Sequence, residues 1–129
     1  MAQIKVYGHA AHLNAHRTAI SDAIHSCSMA ELGLPEDKRF QQFISLESDD
    51  FIHPADRSEK YTILEVSLFE GRKVETKKAF IRALFTKFAA TGLAQSNDLE
   101  ITLRETPRHN WGIRGVPADE LSLNYKVEK

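Results

Sequence analysis

The chain has 129 residues, 42% hydrophobic and 27% charged, the balance of an ordinary folded domain rather than of a disordered or collagen-like chain. Its 17 basic and 18 acidic side chains leave a net charge of -1, without the positive excess that marks a nucleic-acid or anionic-membrane partner. The single cysteine, Cys27, excludes an internal disulfide framework, no apolar run approaches the roughly 20 residues of a membrane span, and the start Met-Ala-Gln-Ile-Lys-Val is too polar for a signal peptide. These features predict a soluble, cytoplasmic, single domain over residues 1–129, with neither nucleic acid nor membrane as partner.

Residues 4–7 read as a first strand. A helix follows, because Ile20, Ala23, Ile24 and Cys27 fall at i, i+3, i+4 and i+7 and so form one apolar stripe. It stops at Gly33, which suits a left-handed closing residue, and Pro35 blocks continuation. Residues 39–47, with Phe40, Gln42, Ile44 and Leu46, read as a second strand, and residues 48–60 as a linker loop by composition. In residues 61–69, Leu64, Val66 and Leu68 alternate with Ile63, Glu65 and Ser67, the period of a third strand. Ile81, Leu84, Phe85 and Phe88 repeat the helical stripe, which stops at Gly92. Residues 98–105 alternate Leu99, Ile101 and Leu103 with Glu100, Thr102 and Arg104, giving a fourth strand. A glycine-rich turn, Asn110 to Gly115, leads to a tail over 116–129, in which Leu121 to Val127 reads as a short strand for a neighbouring chain.

The two halves, residues 2–47 and 61–115, share one order of elements and similar offsets: Ile20 to Ile81 and Gly33 to Gly92 lie about sixty residues apart. Two strand-helix-strand units predict an α+β fold, a four-stranded sheet with both helices on one face. Ile63 and Phe43 are expected on the other face, so that face calls for self-association.

Several side chains have both a functional and a structural reading. Arg72 lies at a strand-to-helix junction, where its planar fork and the helix N-terminus both favour a carboxylate; the alternative is a solvated surface arginine. Lys38 and Arg39 would complete an anion site with Arg72, or form a charged loop after Pro35. Trp111 is a ligand wall or a packing residue. His9, His12 and His16 lack the further ligands of a zinc site, and His12 is not followed by the glutamate of a zincin; exposed histidines at a helix start, with no metal and no cofactor, are expected. Lys73, Lys77, Lys78 and Arg82 read as a solvated basic helix face, and Cys27 as an inert core thiol.

The run Ile-Leu-Glu-Val-Ser-Leu-Phe-Glu-Gly-Arg (63–72), a helix with Lys77 and Lys78, Leu-Glu-Ile-Thr-Leu-Arg-Glu (99–105) and Asn-Trp-Gly-Ile-Arg-Gly (110–115) together resemble the tautomerase superfamily of 4-oxalocrotonate tautomerase. The two-unit length, and Gly-Leu-Pro-Glu-Asp-Lys-Arg-Phe-Gln (33–41), resemble its malonate semialdehyde decarboxylase branch. The resemblance implies a homotrimer and a site at a subunit boundary, acting on a small 2-keto or enol carboxylic acid by proton transfer. It places Ala2 at the family's catalytic N-terminal proline, Arg72 at the substrate-binding arginine and Trp111 at the aromatic wall. Glu70 falls where the decarboxylase has a second arginine, and Lys38 where it has its aspartate; Arg39 is kept, and Arg114 replaces a glycine. Ala2 offers an α-amine only if Met1 is removed; otherwise it is an ordinary strand residue. The implied readings are therefore a keto-enol tautomerase with Ala2 and Arg72 as catalytic residues and Lys38, Arg39, Trp111 and Arg114 binding substrate, or a non-catalytic trimeric small-anion binder or scaffold. A regulatory module sharing only the fold is a third reading.

Overall fold

A computed structural model describes residues 2–121. Strand β1 (Ala2–His9) runs straight into helix α1 (Ala10–Leu32), which is followed by β2 (Gln41–Leu46); β3 (Thr62–Phe69), helix α2 (Val74–Ala90) and β4 (Leu99–Thr106) repeat the order. The sheet order is β2-β1-β3-β4, with β1 parallel to β2, β3 parallel to β4, and β1 antiparallel to β3. The expected two-unit α+β architecture is therefore present. Leu121 closes the described chain, so the short strand expected from Leu121 to Val127 lies outside the described residues.

Alternation sets the core. Ile4 and Val6 of β1 and Leu64, Val66 and Leu68 of β3 point to the helices and meet Leu13, Ile20 and Ile24 of α1 and Phe80, Leu84 and Phe88 of α2. Full burial of a side chain of this size contributes about 1.5–3 kcal/mol. Cys27 belongs to this core, and burial pushes its thiol pKa up. Gly33 closes α1 in the left-handed conformation at φ 68°. Gly8 is needed where β1 meets α1, since a β-carbon there would sit 2.9 Å from Leu13 Cδ2.

One face assignment is corrected. Phe43 pairs with Val6, so it faces the helices and packs on the core, with the Arg17 guanidinium 5.9 Å from its ring centre. The sheet face away from the helices carries Ile44 and Ile63 by alternation, beside Tyr7, Glu65 and Arg104. There the Tyr7 hydroxyl donates to Glu65 at 2.9 Å, and Arg104 pairs with the same carboxylate at 3.2 Å. The hydrogen bond to Glu65 raises the Tyr7 pKa.

The linker 48–60 is tied down at its C-terminal end. Asp98 accepts the Ser58 backbone N–H at 2.7 Å as well as the Ser58 hydroxyl, and Arg57 pairs with Glu100 at 3.2 Å. The buried Tyr61 hydroxyl donates to Glu100. Among the described residues no helix is long and apolar enough to cross a membrane.

Candidate active site

The two units are related by a rough twofold axis through the middle of the β1–β3 pair, near Lys5 and Glu65. It superposes Ala2 on Thr62 and therefore makes two comparable ends of the sheet. At the first end, the start of β1 lies beside the end of β3, Ala2 opposite Leu68. Phe69, fully buried, leaves β3 here and takes the Trp111 ring edge-on at 4.9 Å. Ala118 and Ile113 complete this small second core. It anchors a hairpin of β5 (Gly112–Ile113) and β6 (Val116–Pro117), whose foot is closed by the Ala118 N–H donating to the Trp111 carbonyl at 2.7 Å. The hairpin's turn is Arg114–Gly115, with φ 52° and 87°. Two left-handed residues in sequence match the twist of a tight hairpin. Glycine takes that conformation freely, whereas a residue with a β-carbon gives up roughly 1–2 kcal/mol.

Between this hairpin and the loop before β2 lies an open depression of about 280 Å³, lined by Gln3, Lys38, Phe40, Trp111, Ile113 and Arg114. Phe40, 43% exposed, and Trp111 supply apolar surface, while Lys38 and Arg114 supply positive charge. Among the described residues no acidic side chain lines it, and neither cation forms an ion pair with another of them. Three of the six expected site residues, Lys38, Trp111 and Arg114, thus meet here.

The other three stand differently. Ala2 adjoins the depression through Gln3, but its own methyl is in the core, 3% exposed. Arg72 lies in the short connection from β3 to α2 and is 5% exposed, so the solvated-arginine reading does not apply. It is not among the residues lining the depression. Arg39 points towards α1, where it pairs with Asp22 at 2.7 Å and donates to the Ser21 hydroxyl at 3.1 Å. Lys38 and Arg39 are neighbours in the loop before β2, yet one lines the depression and the other turns to α1. Phe40 and Gln3 are lining residues that the sequence reading did not single out. Phe40 was assigned to the strand itself, yet it precedes β2 and stands at the mouth. Of the basic face on α2, Lys77 is paired with Glu105 at 2.6 Å.

The opposite end of the sheet carries most of the histidines. His12 is 8% exposed, not an exposed helix-start residue, and its ring lies tilted against that of His16 with centres 5.0 Å apart. Burial is the main cause that lowers its pKa, with the His16 charge second. At His16 the backbone leaves helical geometry (φ -125°, ψ 15°), so the first turns of α1 are offset from the rest. His53 Nδ1–H donates to the Pro54 carbonyl at 3.0 Å. Its Nε2 lies 2.8 Å from His9 Nε2, so one of these two nitrogens donates to the other according to tautomer. Among the described residues no group of three or more His, Cys, Asp or Glu side chains is arranged to hold a metal ion.

What the first end can do chemically follows from its parts. Two cations that pair with no other described residue, beside an aromatic wall, suit a small carboxylate with an apolar body. The start of β1 next to them would place a terminal amine within the same neighbourhood.

Residues 38–114 match the model of a family described as tautomerase enzyme. The 2-hydroxymuconate tautomerase of Comamonas testosteroni is 35% identical over 57 residues, 44% of this chain and 90% of that protein. A malonate semialdehyde decarboxylase, FG41, solved with the inhibitor 3-bromopropiolate, is 26% identical, with a TM-score of 0.74 over 94% of this chain and 98% of its own. A fused 4-OT, solved as an asymmetric trimer, has the same fold at a TM-score of 0.80 and 16% identity, covering 91% of this chain and 96% of that one.

Proposed function

The chain belongs to the tautomerase enzyme family, and from that premise we propose that it interconverts the enol and keto forms of a small 2-keto carboxylic acid at the end of the sheet where β1 begins. The observation that carries this is the juxtaposition there of the β1 start with a depression that is cationic, aromatic-walled and, among the described residues, without acidic lining. Lys38 and Arg114 draw in the carboxylate, Trp111 and Phe40 flank the apolar body, and Arg72, buried in the connection that leaves β3 at the same end of the sheet, is a further fixed positive charge. Arg39, committed to Asp22, takes no part in this arrangement.

The base in this scheme is the α-amine of Ala2, exposed by removal of Met1. A free α-amine has a pKa of about 7.7–8.0, and nearby cations move it down, so a useful fraction is unprotonated at neutral pH. The amine takes the proton from the enol hydroxyl as the C=O forms, and the ammonium so made returns a proton to the carbon. Proton count and charge balance over the cycle, and neither metal nor cofactor enters it. Self-association as a homotrimer would enclose the site at a subunit boundary. Two observations support that: a similar fused protein is a trimer, and Ile44 and Ile63 lie on the sheet face away from both described helices. A cytoplasmic location fits this chemistry.

The test is ketonisation of the enol of phenylpyruvate by protein whose mass shows Met1 removed, compared with Lys38→Ala and with protein retaining Met1. Removing one charge-assisted contact to a carboxylate is worth about 1.5–3 kcal/mol, or roughly 10–150-fold in kcat/KM. Activity lost with both changes is expected. Equal activity with Met1 retained would remove Ala2 as the base, and inactive native protein would leave the non-catalytic anion binder as the better reading.

A further inference from the structure

Arg114 is the one non-glycine among the described residues with a positive φ, 52°. Nothing steric accounts for an arginine there. A β-carbon added at Gly112 or Gly115, on either side of it, meets no atom within 4 Å, so the hairpin tip stands open and any small residue fits. Glycine or asparagine would close the turn with less backbone strain. The arginine is therefore unfavourable for the turn it occupies, and its compensation has to come from its side chain. That side chain makes no hydrogen bond or ion pair with another described residue and lines the depression opposite Lys38. Backbone strain held at the edge of a binding depression is the pattern expected when the strained residue serves the ligand rather than the fold.

We propose that Arg114 is the specificity-determining residue of the depression. It recruits the anionic group at the mouth and so selects carboxylates over neutral ligands of the same shape, at the expense of turn stability. This deepens the function proposed above and rests on the depression being its binding site.

The experiment compares native protein with Arg114→Asn, Arg114→Gly and Arg114→Lys. Trp111 is the only tryptophan of the chain, so its fluorescence reports this depression alone. At low ionic strength the anionic quencher iodide and the neutral quencher acrylamide are titrated in parallel. Arg114→Asn is expected to lower the iodide quenching constant about twofold and leave the acrylamide constant unchanged, and Arg114→Lys to keep both. Binding of phenylpyruvate, followed by ligand NMR, is expected to weaken about tenfold in Arg114→Asn, while its methyl ester binds as before. Thermal unfolding of Arg114→Asn and Arg114→Gly is expected a few degrees higher, since the turn strain is relieved. Unchanged iodide quenching, or equal weakening of acid and ester, would overturn the proposal, as would a lower melting temperature in both variants. Failure of the underlying function shows differently: native protein would bind no phenylpyruvate, while the iodide comparison still decides the charge role of Arg114.

Discussion

Replacing Trp111 with alanine tests whether the hairpin beside the depression is part of the cooperative fold. A fully buried aromatic side chain removes about 150–250 Å² from water; for the half-buried Trp111, about 100 Å² is the appropriate figure. At about 25 cal/mol per Å² that burial is worth about 2.5 kcal/mol. The edge-on contact with Phe69 adds about 0.5–1.5 kcal/mol. A loss of about 3 kcal/mol is therefore expected. A chain of this length unfolds with an entropy of about 0.27 kcal/mol/K, so Tm should fall by about 11 °C. Trp111→Phe keeps a ring against Phe69 and should lose about 1 kcal/mol, about 4 °C. Thermal melts followed by far-UV circular dichroism measure both. If Trp111→Ala melted within about 3 °C of the native protein, the Phe69–Trp111 cluster would be a detachable appendage, and the account of a wall held by packing would be wrong.

Gly8→Ala should destabilise by about 1–3 kcal/mol, because the new methyl presses on Leu13, which has no exposed surface into which to move; chemical denaturation measures it, and a neutral result would show that α1 shifts freely. Asp98 and Glu100 have pKa values held low, Asp98 by the Ser58 hydrogen bonds against opposing burial, and Glu100 by Tyr61 and Arg57. Their stabilisation is present above the unfolded carboxylate range and lost as pH falls through the folded values, so Asp98→Asn should flatten the acid limb of a stability-pH curve; an unaltered limb would count against the linker tether. Tyr61 is pushed up to about 12, by burial and then by the hydrogen bond to Glu100. Its contribution is complete below its ordinary value of 10.0 and is lost as pH rises through about 12; ultraviolet titration should show a tyrosine step near 12, and Tyr61→Phe should remove that step while the smaller upward shift of Tyr7 stays.

How much of this was legible in advance depends on the range over which each cause acts. Leu64, Val66 and Leu68 announce their strand and its buried face because alternation is local. Gly33 announces the end of α1 for the same reason. Phe43 was misassigned because β2 has apolar residues at two successive positions, Phe43 and Ile44, and alternation alone cannot choose between them. The parallel register against β1 chooses, by setting Phe43 beside Val6. Adjacency groups Lys38 and Arg39, whereas the Asp22 carboxylate on α1, distant in sequence, draws Arg39 away from the depression. His12 shows the same limit. Its spacing to His16 is visible in the sequence, whereas its burial depends on the fold closing around the start of α1. The family resemblance groups Ala2, Arg72, Lys38, Arg39, Trp111 and Arg114, of which Lys38, Trp111 and Arg114 line one depression, but composition does not tell that Arg114 sits in a left-handed turn.

The rough twofold axis gives the molecule two ends of the same design and one difference that symmetry cannot remove. A sixty-residue shift takes Phe69 to His9, Trp111 to Phe51 and Arg72 to His12, and the rings keep their 4.9 Å spacing at both ends. At the second end, however, the strand start is Thr62, whose nitrogen is already acylated by Tyr61. An amide nitrogen has no basicity near neutral pH, so joining the two units halves the number of positions at which a strand could begin with a free amine. The ratio of amine-bearing ends to repeats is at most one to two, whatever the number of chains that assemble. Freed from that office, the second end has filled with His9, Phe51, His53 and Tyr61, so a single covalent bond has turned a nearly symmetric sheet into one with a chemical polarity.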